Sequence, residues 1–173
     1  MTLTLARLNA LPGEEAADRL RACCGSSRWV EAMLARRPFE SVDALLAAAD
    51  EAWRATGAQD WAEAFAHHPR IGERHAAAPV SAIAGAWSAG EQGTAAGAGA
   101  AARAALAEAN EAYERRFGRI YIVCAAGRSA QEMLADIAVR MRNDPDRERV
   151  VAMEEQGKIT RLRLETLVGV RKA

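Results

Sequence analysis

Helical periodicity runs almost unbroken along this chain, and one stretch only, RIYIVCAAG at 119–127, is rich in β-formers. A lone short strand has no partner with which to make a sheet, so the stretch reads as an extended connector. The apolar residues must then be buried by packing helix on helix. The expected fold is all-α: a single compact domain over residues 1–173, built from about seven or eight helices.

Local signals mark where helices begin and end. Ala17, Leu20, Ala22 and Cys23 recur at threes and fours, as one helix face requires. A serine cap precedes Trp29, Ala32, Met33 and Leu34, and that helix stops near Pro38. Ser41 opens a stripe through Leu45, Leu46, Ala49 and Trp53 that Gly57 closes. A short helix from Asp60 ends before Pro69, because the residue preceding proline resists helical dihedrals. Residues 70–87 carry Gly72, Pro79 and Gly85 and read as loop. The Ala-rich run from Ser88 to about Phe117 reads as helix rather than linker, since alanine is the best helix former. Helices over 129–142 and 146–170 complete the chain around Asn143-Asp144-Pro145.

Charge and cysteine content narrow the function classes. Lys plus Arg and Asp plus Glu number 23 each, a net charge of +0. No basic face is implied for a nucleic-acid backbone, so no nucleic-acid partner is expected. Only 3 cysteines occur, and Cys23 and Cys24 are adjacent, which suits a reducing compartment better than a disulfide framework. The opening residues do not read as a signal peptide, no apolar run is long enough to span a membrane, and the final Arg171-Lys172-Ala173 is not a peroxisomal address. A cytoplasmic protein without a membrane partner is the expectation.

All 3 histidines fall in AFAHHPRIGERHA at 64–76. Imidazole titrates near neutrality, so such a group suits proton transfer. Pro69 turns the chain away at His68, a place from which an imidazole can point across a cavity; it can equally sit at the surface, favoured by the helix dipole. His67 lies about 100° round the same helix and reads as solvated or structural. Adjacent histidines diverge, and no His-x-x-x-His or Cys-x-x-Cys pair occurs, so no metal is expected.

Ser88 and Glu91 have the spacing of a capping box, which explains both without any function. Gln92 is left unexplained, and helix N-termini also bind small polar ligands through their free amides. In the last helix Ile159, Leu162, Leu164 and Leu167 form an apolar face, with Arg161 and Arg163 between them. Such charges usually face solvent; an inward arginine would grip a carboxylate by two parallel hydrogen bonds.

Taken in order, CC-x-S-x-x-W-V at 23–30, RPF at 37–39, HPRIG at 68–72, S-x-x-EQ at 88–92, N-x-x-Y-x-x-x-FG at 110–118 and the closing KITRLRLETL resemble one family over nearly the whole chain. That family is 2-oxo-4-hydroxy-4-carboxy-5-ureidoimidazoline (OHCU) decarboxylase, which completes the conversion of urate to (S)-allantoin. The resemblance implies a cofactor-free carboxy-lyase, commonly a homodimer, acting on a small-molecule substrate. It places catalysis on His68 and Glu91, and substrate binding on Ser88, Glu91, Gln92 and Arg163, with further contacts at Pro69 and near Val123. Arg119 stands where family members often carry an aromatic residue, a departure close to the Val123 contact. The alternatives are a non-catalytic helical interaction module, whose polar residues would lie largely exposed, and a metal-dependent hydrolase using the histidines.

Overall fold

The computed structural model describes residues 3–71, 85–87, 90 and 99–170. Among the described residues the helices are α1 (Leu5–Ala10), α2 (Gly13–Cys23), α3 (Ser27–Ala35), α4 (Val42–Arg54), α5 (Ala58–Ala66), α6 (Ala100–Phe117), α7 (Ala130–Arg140) and α8 (Pro145–Leu167), and residues 85–87, expected to be loop, are helical too. No β-strand occurs among the described residues, and 120–125 belong to no helix or strand, so the all-helical expectation holds. None of the described helices is long and apolar enough to cross a membrane.

Side-chain caps fix several helix starts. Ser26 accepts from the Trp29 amide and Ser41 from the Ala44 amide, relieving donors that the first turn leaves unpaired. Ser129 and Glu132 form a complete capping box on α7. Gly118 closes α6 at φ 66°, a left-handed conformation that costs glycine little. The Ala-rich run departs from expectation: α6 begins at Ala100, because Gly99 is extended at ψ 160°. Helix α1 is unanticipated. It is six residues long, capped by Thr4, and held by Asn9, whose Nδ2 donates to the Phe39 carbonyl at 2.8 Å. Arg37 Nη2 reaches the Asn9 and Leu11 carbonyls at 2.6 Å each, which accounts for the Arg and Phe of the RPF motif.

Two compact units are formed, residues 1–64 with 156–173, and residues 65–155. In the first, Leu8, Leu20, Trp29, Met33, Leu45, Leu164 and Leu167 are fully buried. Each such aliphatic side chain contributes about 1.5–3 kcal/mol relative to exposure. In the second, Leu106, Tyr113, Tyr121, Val123, Ala125, Met133 and Ile137 share one core with Ile71. Tyr121, Val123 and Ala125 of the connector all enter that core.

Candidate functional site

His68 lies just past the end of α5, half-buried, its amide donating to the Phe65 carbonyl at 3.1 Å. Pro69 follows, also half-buried, and has no amide hydrogen to continue the helix. The next two residues are tied to α6. Asn110 Nδ2 donates to the Ile71 carbonyl at 3.1 Å, and Arg70 grips Glu114 through Nε and Nη2 at 3.0 and 2.9 Å. His67 is half-buried as well, with Nδ1 buried and lacking a hydrogen-bond partner among the described residues.

Val123 is buried, and the backbone on both sides of it is held by charged side chains. Arg140 Nη1 donates to the Ile122 carbonyl at 2.8 Å, and the Cys124 amide donates to Glu155 Oε2 at 2.8 Å. Arg140 is in turn fixed by Glu148, whose side chain is fully buried, and by the faces of Tyr113 and Tyr121 at 5.7 and 4.7 Å. Tyr113 donates to Glu148 and Tyr121 to Asp136. Burial, then these bonds to carboxylates, push both phenols well above their ordinary range. Arg119 lies over the Phe117 ring at 5.7 Å and its Nη1 donates to the Phe117 carbonyl at 3.4 Å, while Nε and Nη2 are buried without hydrogen-bond partners among the described residues. The Arg119 cation thus stacks on an aromatic face just past the end of α6.

The other unit holds Arg163, only 4% exposed, with Nη1 donating to the Ala22 carbonyl at 3.3 Å. Arg161 differs: it is half-exposed and pairs with Asp50 at 3.4 Å and Glu165 at 3.5 Å. Of the two arginines, Arg163 is therefore the inward one. Beside it, burial pushes the Cys24 thiol up to about 11, although the Ser26 amide, Thr160 and Arg163 all pull it down. Cys24 is a neutral thiol at physiological pH and not a nucleophile.

His68, Pro69 and Val123 thus belong to one unit and Arg163 to the other. Ser88, Glu91 and Gln92 lie outside the described residues, as does His75. The largely exposed arrangement expected of the polar residues of a non-catalytic module does not describe Arg163, which is buried. Sequence reasoning passed over Asn110, Glu114, Arg140, Glu148 and Glu155 as carriers of the site's framework. Asn110 was signalled only as one letter of the N-x-x-Y-x-x-x-FG pattern.

The sequence profile of the family described as OHCU decarboxylase matches residues 9–165. A uric acid degradation bifunctional protein TTL from Arabidopsis thaliana is 40% identical over 151 residues, covering 87% of this chain and 46% of that protein. A 2-oxo-4-hydroxy-4-carboxy-5-ureidoimidazoline decarboxylase from Amia calva is 41% identical over 59 residues, 34% of each chain. The chain thus spans less than half the length of either curated relative. A crystal structure of OHCU decarboxylase in the presence of (S)-allantoin superposes with TM-score 0.74 and 35% identity, covering 88% of this chain and 98% of that one. The fold is also that of a crystal structure of (S)-allantoin synthase, at TM-score 0.69 and 21% identity over 96% of this chain and 54% of that one.

Proposed function

We infer the chemistry from one premise: the chain belongs to the OHCU decarboxylase family. The reaction we assign is decarboxylation of OHCU to (S)-allantoin, a carboxy-lyase step in urate degradation. The observation that carries the assignment is the fold shared, nearly end to end, with a decarboxylase crystallised with (S)-allantoin.

The substrate bears its carboxylate and a hydroxyl on one carbon, next to a carbon–nitrogen double bond. When the bond to the carboxylate breaks, carbon dioxide leaves, its electron pair forms a double bond to the neighbouring carbon, and the former imine nitrogen takes up a proton, giving an enol. A proton then reaches the carbon that becomes the stereocentre, and the hydroxyl loses its own to become the carbonyl. Because the substrate supplies the electron sink, the reaction calls for no cofactor. The protein must hold the carboxylate, steady the enol-like species and protonate one face. His68 moves the proton. Glu91 and Gln92 hold ureido and ring amides, with Ser88 beside them. Arg163 holds anionic oxygen, and the backbone at Pro69 and Val123 completes the grip. Buried as it is, Arg163 meets an oxyanion with little competition from water.

We read residues 1–173 as one such domain, working as a cytoplasmic homodimer; three cysteines outside any disulfide support a reducing compartment. The test supplies fresh urate with uricase and hydroxyisourate hydrolase, then follows the circular dichroism of (S)-allantoin with and without this protein. Fast appearance of one enantiomer, unaffected by a chelator, is the expected result. Slow racemic product at the uncatalysed rate would refute the assignment, and activity lost to chelation and restored by zinc would favour the hydrolase-like metal reading.

A further inference from the structure

The geometry points to Asn110 and Glu114 as positioning residues for His68, an inference that rests on the proton-moving role given to that imidazole. Upstream, His68 is held by the hydrogen bond that its backbone N–H donates to the Phe65 carbonyl. Downstream, the chain is held by α6 at two consecutive residues, Arg70 through Glu114 and Ile71 through Asn110. Asn110 and Glu114 are four apart and therefore share a helix face, one above the other, about 6 Å along the axis. That face works as a two-point clamp.

The two points differ in kind. Asn110 is buried, 5% exposed, as is Ile71, so the bond between them lies in the core and its carbonyl has no water to fall back on. The Arg70–Glu114 pair is half-exposed but engages both carboxylate oxygens, which sets direction more than strength. Between clamp and imidazole stands Pro69, whose ring removes one backbone rotation. A shift at Ile71 therefore passes to His68 through a short, stiffened segment instead of being absorbed in it.

Proton transfer tolerates little displacement, and a misplacement of about 1 Å can cost a hundredfold. Asn110→Leu keeps roughly the same volume and removes the donor. It is expected to lower kcat by roughly tenfold or more with KM within about threefold, because positioning of the proton is lost before binding is. The product should also lose enantiomeric excess, measured at enzyme concentrations where uncatalysed decay is negligible. Glu114→Ala, at a half-exposed position where folding is not at risk, should change the same quantities by about threefold. The charge-exchanged pair Arg70→Glu with Glu114→Arg should recover most of that loss.

A role in folding alone would lower the melting temperature while leaving kcat per folded molecule and enantiomeric excess as in the parent; that result overturns the inference. If the parent protein fails to accelerate decay at all, the functional reading falls on its own account. The imidazole resonances of His68, assigned by their loss in His68→Asn, then decide positioning separately. They should shift or broaden in both Asn110→Leu and Glu114→Ala, and unchanged resonances would overturn it.

Discussion

Arg140 and Glu148 meet edge to point: Nε and Nη2 of the guanidinium lie 2.8 and 2.6 Å from the same carboxylate oxygen, Oε1. Both side chains are almost wholly shielded from water. A pair so placed adds little to stability when compared with apolar residues of the same shape, but removing one member strands the other charge. What the pair does provide is direction: Arg140 has a donor left for Ile122 and holds the chain just before Val123.

Glu148→Gln should therefore destabilise the protein by about 3–5 kcal/mol and lower its melting temperature by roughly 10 °C. The double variant Arg140→Met/Glu148→Leu should be more stable than either single charge removal, because no unpaired charge remains. Thermal unfolding of the three variants checks both statements, and additive losses would contradict them.

The chain has 2 tyrosines, Tyr113 and Tyr121, and burial raises both phenols above their usual 10.0. A proton held more tightly in the folded state stabilises it less as pH climbs: the contribution is complete below about pH 10 and is lost above it. Phenolate absorbance should accordingly fail to appear with a midpoint near 10 and should rise only as the fold is lost. A reversible titration of one tyrosine in protein that retains its helical dichroism would count against this.

Thiol labelling should follow burial. Cys124 is half-buried while Cys23 and Cys24 are enclosed, so an alkylating reagent at neutral pH should modify Cys124 first. For Cys24 the raised value, from 9.0 to about 11, means that stability is fully present below about pH 9 and falls as pH rises toward about 11. Cys24→Ala should flatten stability over that window, as read by denaturant unfolding at successive pH values.

His68→Asn should abolish decarboxylation, whereas His67→Asn should leave most of it. The first removes the proposed proton carrier, the second a neighbour whose buried Nδ1 makes no hydrogen bond to the described residues. Equal losses with folding intact would speak against His68.

Glu91 tests whether spacing alone identifies a ligand group. Ser129 and Glu132 show the same Ser-x-x-Glu spacing and spend it entirely on a capping box. If Glu91 did only that, Glu91→Gln would be mild in every respect, since glutamine serves at that position too. A carboxylate accepting from substrate amides cannot be so replaced, because the amide brings donors of its own. Turnover efficiency should fall at least roughly tenfold, about 1.4 kcal/mol in barrier terms, with the melting temperature shifted by no more than a few degrees.

The parts of the fold legible in the sequence are those written in local chemistry. Ser26, Ser41 and Gly118 announce their helix ends because a cap needs only neighbours three or four residues away. Helix α1 escaped because six residues carry too little periodicity, and it is held by Arg37 and Phe39, nearly thirty residues on. Arg140 and Glu148 escaped for the opposite reason. Charges on a helical pattern read as solvated, and only the folded chain shows them facing Tyr113 and each other. The family pattern points to His68 and Arg163 as candidate site residues, while the residues that hold the backbone on either side of Val123 belong to no local motif.

The clamp on Ile71 and Arg70 has an evolutionary signature that follows from which atoms meet. Arg70 and Glu114 join side chain to side chain, so a change at one can be answered at the other, and the two positions should vary as a couple among relatives. Asn110 addresses a main-chain carbonyl, which every residue at position 71 would offer alike. Its position should stay constant with nothing to co-vary against. One helix face would thus leave two different marks in a lineage, a correlated pair and a solitary invariant, for two halves of the same grip.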